Sequence, residues 1–334
     1  MKKILYIGNN LSTSNPTTLQ QLSEILKASG FVVAIYSSKK NKVLRLLAMC
    51  FGVLKYRNAD YLLVDTYSTT NFLYALIVSQ LARFLSIPYI PILHGGNLPT
   101  RLQQHPWFSK LIFKNAYLNI APSNYLLKEF QQKGFKTTFI PNAIAIEKYV
   151  YKERENLQPS LLWVRAFDKI YNPVMAIKVL YELKKTHSNA VLCMIGPDKD
   201  GSLKEVIEIA KQYGVLDSVE FAGMLSKEIW IDRSKEYAIF INTTSIDNTP
   251  VSVIEAMALG LPVVSTNVGG LPYLIEDLVN GILVENNNVV QMVEAIEELL
   301  QNAEKVNKIT INAREMVEEF DRILVKQQWI NLLK

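Results

Sequence analysis

The sequence predicts an α/β protein built from two doubly wound parallel domains that face a cleft. Three observations predict it. Short apolar runs bounded by turn residues alternate with helical stretches, a polar and charged segment interrupts that alternation before it resumes, and 334 residues suit two domains of ordinary size.

In the first half, strands are expected near 4–7, 31–36, 61–64, 89–93, 118–121 and 137–140, with helices such as 17–28 and 124–132 between them. The strand runs are short, mostly apolar and bounded by turn residues, as buried parallel strands should be. The segment 149–160 (YVYKERENLQPS) reads as an interdomain linker. Strands then recur near 161–164, 190–195, 219–221, 238–241, 262–265 and 282–284. Helices are expected at 173–185, 202–213, 251–259 and 290–300, and amphipathic ones at 303–320 and 322–333. Small ligands of such sheets bind at the carboxyl ends of the strands.

Composition narrows the function. Hydrophobic residues make up 49% and charged residues 20%, the balance of a soluble globular protein. Cys50 and Cys193 sit in apolar runs and read as reduced core residues. With His94, His105 and His187 as the only histidines, no zinc-type spacing exists. The start MKKILYIGNN has too short an apolar run for a signal peptide. The long apolar stretch 72–93 is broken by Gln80, Arg83, Pro88 and Pro91, so it does not read as a membrane span. A cytoplasmic location is expected, with attachment to the inner face of a membrane as an extension of it.

Charge is uneven. Residues 1–150 hold 17 Lys/Arg against 5 Asp/Glu, and the remainder is net acidic. The first half is therefore expected to face something anionic, a membrane surface or a phosphate-bearing acceptor. No aromatic-and-basic stacking signature points to nucleic acid. Two readings stay open for 39–57: an amphipathic helix lying on an anionic membrane, or a core helix with snorkelling basic ends.

The segment 245–270, SIDNTPVSVIEAMALGLPVVSTNVGG, carries the chemistry. Asn248 or Thr249 can cap a helix with Pro250 in its first turn, and Gly260 and Pro262 end it. On one continuous helix Asp247 and Glu255 would lie about 12 Å apart and roughly 80° out of phase. With Asp247 in the loop before the helix, the two carboxylates can grip different parts of one elongated ligand. The helix N–H groups between them suit phosphate.

This segment resembles the paired acids, with seven residues between them, of retaining family 4 glycosyltransferases of the GT-B fold. The following Glu-Ala-Met-Ala-x-Gly-x-Pro-Val-Val pattern and the later Gly-Gly match as well. One departure is the first acid, usually Glu and here Asp247, shorter by one methylene, about 1.5 Å. The resemblance implies that Glu255 holds the nucleotide ribose. Asp247 would contact the transferred sugar, with backbone contacts from Asn248, Thr249 and Val251. It places Arg165, and Lys169 after it, on the donor diphosphate, and His94 of the His94-Gly95-Gly96 turn near the transferred sugar. Gly8 matches a glycine-rich turn that admits substrate to the backbone, and Gly196 a landmark of the nucleotide pocket.

The resemblance implies an acceptor-binding domain over 1–150 and a nucleotide-sugar-binding domain over 160–312. Helices over 313–334 would pack back on the first domain. The expected reaction moves a sugar from a UDP- or GDP-linked donor to a hydroxyl, with retention and with no cofactor. No metal is expected, because no Asp-x-Asp ends a strand. Acceptors fitting the basic half are a growing surface polysaccharide or a lipid-linked glycan, with a soluble sugar as the lesser choice. Rival readings are a sugar-nucleotide epimerase of the same architecture and a non-catalytic nucleotide-binding scaffold. The absence of G-x-G-x-x-G argues against a nicotinamide site.

Overall fold

Every run expected to be a strand is one. The computed structural model describes residues 1–10, 17–155 and 157–334. In the first half β1 (Lys3–Ile7), β2 (Val32–Tyr36), β3 (Tyr61–Thr66), β4 (Tyr89–Leu93), β5 (Asn119–Ala121) and β6 (Thr137–Phe139) pair in parallel in the order β2-β1-β3-β4-β5-β6. In the second, β7 (Ser160–Val164), β8 (Val191–Ile195), β9 (Val219–Gly223), β10 (Ile239–Asn242), β11 (Val263–Thr266) and β12 (Ile282–Val284) are also all parallel. Their order is β12-β11-β10-β7-β8-β9. Both are Rossmann-like, doubly wound sheets.

Alternate residues of the first sheet enter two different cores, as the two-residue strand period requires. Leu5, Ile7, Leu62 and Val64 pack beneath one set of helices, which includes Lys42–Lys55 and Thr70–Phe84. Ile4, Tyr6, Leu63 and Ile92 pack on the opposite face against Thr18–Ala28 and Arg322–Leu333. The apolar stretch 72–93 resolves into helix Thr70–Phe84, a turn at Ser86 with φ 58°, and β4. No helix among the described residues is long and apolar enough to cross a membrane. Cys193 is buried and Cys50 half-buried, and both are free.

The units are Met1–Ile144 with Phe320–Lys334, and Ala145–Glu319. The first unit runs to Ile144 and takes the chain back from Phe320, because helix Ala303–Glu318 packs within the second unit. The segment 149–160 is part of that unit and not a free linker (its Asn156 lies outside the described residues). The buried Arg154 explains why. Its Nη1 donates to the carbonyls of Lys152 (2.9 Å) and Leu259 (2.8 Å), its Nη2 to Ser234 (3.2 Å) and its Nε to Tyr237 (3.3 Å). Burial lowers the guanidinium pKa to about 10. A buried arginine with four carbonyl partners fixes the segment it comes from.

Candidate functional site

In the second sheet the chain winds outward from β7 to β9 and, in the other direction, from β10 to β12. The strands β7 and β10 are neighbours, so their carboxyl ends make the topological switch point where open α/β sheets bind ligands. Two loops leave there, 165–172 and 243–250. Thr243 Oγ1 reaches the carbonyls of Tyr171 and Asn172 (2.9 Å each), Trp163 Nε1 donates to Thr243 Oγ1 (3.0 Å), and Ser245 N donates to Ile170 O (2.8 Å). These bonds bring Arg165 and Asp247 into an ion pair, with side chains only 13% and 16% exposed. The Arg165 guanidinium also lies 4.1 Å from the Tyr171 ring centroid, a cation–π contact. Burial lowers its pKa. Its Nε is buried without a hydrogen-bond partner among the described residues.

Asp247 lies in the loop and Glu255 in helix Val251–Ala258, as expected. The capping differs. Pro250 occupies the N-cap position, one or two residues after the expected Asn248 or Thr249, and makes no side-chain cap hydrogen bond of its own. The loop is instead held from the 269–270 turn. Gly270 N donates to Asp247 O (2.9 Å), and a Cβ on Gly270 would stand 1.7 Å from Asn248 O. Asp247 Oδ1 accepts from Asn248 N (2.7 Å). Gly270 has φ −87°, so its requirement is for space and not for conformation. Gly270→Ala is therefore expected to destabilise the fold by about 1–3 kcal/mol, the usual cost of overpacking. Urea unfolding checks this, and wild-type stability would mean that the two turns have room to part.

Helix Val251–Ala258 is buried from Ser252 to Ala258, which explains its unbroken apolar sequence around one acid. Glu255 is 3% exposed. Its Oε1 accepts from Tyr149 Oη (2.6 Å) and pairs with Lys227, whose Nζ also lies 3.4 Å from Tyr149 Oη. The Tyr149 pKa is pushed far up, first by burial and then by the Glu255 charge. At the helix end Arg314 Nη1 donates to Ala258 O (2.7 Å), beside the Arg154 bond to Leu259 O. Cations at the carbonyl end of a helix offset its dipole.

The other expected residues fall as follows. Asn248 and Thr249 are buried and Val251 opens the helix. Lys169 is exposed on the turn Lys169–Tyr171, its N–H donating to Asp200 Oδ2 (3.0 Å). Gly196 lets the ends of β7 and β8 approach, since a Cβ there would stand 1.8 Å from Arg165 O. Its N–H is used by Gly223 O (2.8 Å), so it shapes the Arg165 turn.

His94 and Gly8 lie in the first unit, at its own switch point, where β1 and β3 are neighbours and β4 follows. Asp65 Oδ1 takes hydrogen bonds from Tyr6 Oη (2.9 Å) and His94 Nε2 (3.0 Å), which assigns the Nε2–H tautomer to His94. Tyr67 stacks on the imidazole, with centroids 4.8 Å apart. Burial, and secondarily Asp65, raises the pKa of both tyrosines. A Cβ on Gly8 would meet Asp65 Oδ2 at 2.5 Å and Leu19 Cδ1 at 2.4 Å. Gly8 N donates to Tyr36 O and Gly8 O accepts from Ser37 N. The approach that Gly8 permits within the chain is that of Asp65.

Sequence reasoning missed Asp65, Tyr149, Tyr171 and Lys227. Only Lys227 carried a local signal, standing just after the helix-capping Ser226 and close to the Phe221-Ala222-Gly223 strand end.

Residues 147–316 match the family model described as glycosyl transferases group 1. An uncharacterized glycosyltransferase of Haemophilus influenzae is 30% identical over 166 residues, 47% of this chain and 44% of that protein, so the match spans less than half the relative's length. The amylovoran biosynthesis glycosyltransferase AmsK of Erwinia amylovora is 26% identical over 94% of this chain and 80% of its own. Among solved structures, HepE of Anabaena in complex with UDP-glucose superposes with a TM-score of 0.79 at 19% identity, covering 100% of this chain and 99% of that one. The shared architecture is the GT-B class of two Rossmann-like domains.

Proposed function

The chain belongs to the glycosyl transferases group 1 family, and on that premise we propose that it moves a sugar from a nucleoside diphosphate sugar to a hydroxyl acceptor with retention of configuration. The observation that carries this reading is the half-buried Arg165–Asp247 pair at the switch point, with Glu255 on the helix that follows. UDP-glucose in a protein of the same fold supports a UDP- or GDP-linked donor.

Departure of the diphosphate is the difficult step, because charge builds on its oxygens as the bond to the sugar breaks. Arg165, Lys169 and the N-terminal N–H groups of helix Val251–Ala258 are proposed to meet that charge. With the cations supplied by the chain, the reading invokes no metal and no cofactor. Asp247, with the backbone of Asn248, Thr249 and Val251, would hold the sugar, and Glu255 the ribose hydroxyls. When diphosphate takes the Arg165 guanidinium, Asp247 is released to accept from sugar hydroxyls. Gly8 and Gly196 serve by seating Asp65 and Arg165. His94, with Nε2–H committed to Asp65, would offer Nδ1 to a sugar hydroxyl. No side chain is assigned as a nucleophile, and the acceptor would attack from the face the diphosphate leaves, giving it the proton.

The acceptor proposed is a growing surface polysaccharide or a lipid-linked glycan, met at the inner face of an anionic membrane. The basic first half supports it, as does the biosynthetic role in the name of AmsK. Titration with UDP, GDP and ADP tests the donor side: one nucleotide is expected to bind at micromolar Kd. Binding by none of them would overturn the donor-site reading. Binding of the intact sugar nucleotide without transfer or hydrolysis would favour a scaffold, and its interconversion without acceptor an epimerase.

A further inference from the structure

Three of the helices on one face of the first sheet lie side by side: Lys42–Lys55, Thr70–Phe84 and Pro106–Phe113. Their inward residues, among them Met49, Val53, Phe72, Val78 and Phe113, enter one core with Leu5 and Leu62. Thr70–Phe84 packs beside both of the others, so the outer surfaces of the three are continuous.

Those outer surfaces are apolar. On Lys42–Lys55, residues Leu44, Leu47, Phe51 and Leu54 recur at steps of three or four and form one stripe, each more than half exposed. Arg45, the one charge between 43 and 54, turns away from it. Its Nε donates to Lys39 O (2.7 Å), Nη2 to Lys40 O (3.0 Å) and Nη1 to Asn9 Oδ1 (3.2 Å). The helix is thus neither wholly buried nor polar outside. Thr70–Phe84 adds Leu73, Ile77 and Phe84, and Pro106–Phe113 adds Trp107 and Phe108. Monomeric proteins rarely leave a contiguous apolar surface of this kind without a partner.

The rim identifies the partner. Lys39, Lys40, Lys42, Lys55 and Arg57 flank the first helix, and Lys110 and Lys114 belong to the third and its end. No Asp or Glu occurs from 25 to 59 or from 66 to 128. A second copy would bring like charges together. An apolar strip ringed by lysine matches the headgroup boundary of an anionic bilayer, which takes apolar side chains at its edge and cations at its phosphates. We propose that this three-helix face docks the protein on an anionic lipid surface. The proposal deepens the membrane partner named above, and it rests on the first unit alone.

Trp107 reports on it directly. It is 66% exposed, whereas Trp163, Trp230 and Trp329 are buried. Vesicles of phosphatidylcholine and phosphatidylglycerol in equal parts are expected to shift its emission to the blue, and brominated phosphatidylcholine in them to quench it. Trp107→Phe should abolish both changes. Leu47→Glu with Phe51→Glu, both at exposed positions, should lower vesicle binding about tenfold or more, as should raised salt. UDP and GDP binding should be unchanged in that variant, so loss of docking and loss of the donor reading are separable. Equal binding to phosphatidylcholine alone, absence of quenching, or a dimer in sedimentation that the double variant splits would each overturn the proposal. The last outcome would assign the face to a second copy.

Discussion

Replacing Arg165 with alanine is expected to lower kcat roughly 100- to 1000-fold in a sugar-transfer assay, the loss typical of one preorganised donor to developing negative charge. The guanidinium is fixed before substrate arrives, by Asp247 on one side and the Tyr171 ring on the other, and its burial keeps water from screening it. Substrate binding should suffer less than turnover, since in the proposed reaction charge on the diphosphate grows as the sugar departs. One complication has a physical remedy. Arg165→Ala leaves the half-buried Asp247 without its cation, which costs about 1–3 kcal/mol of stability. Arg165→Ala combined with Asp247→Asn removes the stray charge. If that pair restores stability while turnover stays low, Arg165 acts on the reaction. Recovery of both would reduce the ion pair to a structural element.

Glu255→Ala is expected to weaken nucleoside diphosphate binding tenfold or more, about 1.4 kcal/mol, in the same titration that identifies the base. The carboxylate is nearly inaccessible and its Oε1 is held by Tyr149 and Lys227, so on the proposed reading it is oriented before a ribose would reach it. Tyr149→Phe keeps the burial and removes one hydrogen bond, so a smaller loss is expected, a few-fold and in the same direction. Unchanged affinity in Glu255→Ala would move the nucleotide away from this helix and leave Glu255 as the buried counter-charge of Lys227.

Much of this was legible in the residues. The strands of both sheets could be placed because they are short, mostly apolar runs bounded by turn residues, the pattern expected of strands covered on both faces. The segment 245–270 revealed its helix and its acids through Pro250, Gly260 and the apolar positions around Glu255. The same reading put the N-cap at Asn248 or Thr249, whereas Pro250 occupies that position in a loop that Gly270 approaches closely. It took 149–160 for a linker because the segment is polar, when Arg154 is one of the polar groups that bind it down.

The sequence by itself determined the alternation of strand and helix, the two-domain plan, the basic character of the first half, and the presence of Asp247, Glu255 and Arg165 at strand ends and on a buried helix. Only the tertiary structure decided the partners. Tyr149 reaches Glu255 across 106 residues, Lys227 arrives from another helix, and Asp65 takes the space that Gly8 leaves. It also decided that Arg45 points inward while Leu47 and Phe51 face out. Local propensity and periodicity act over a few residues and set what each segment becomes. Which side chains then meet is set by how sheets and helices pack, and a residue's neighbours in space leave no mark on its neighbours in sequence.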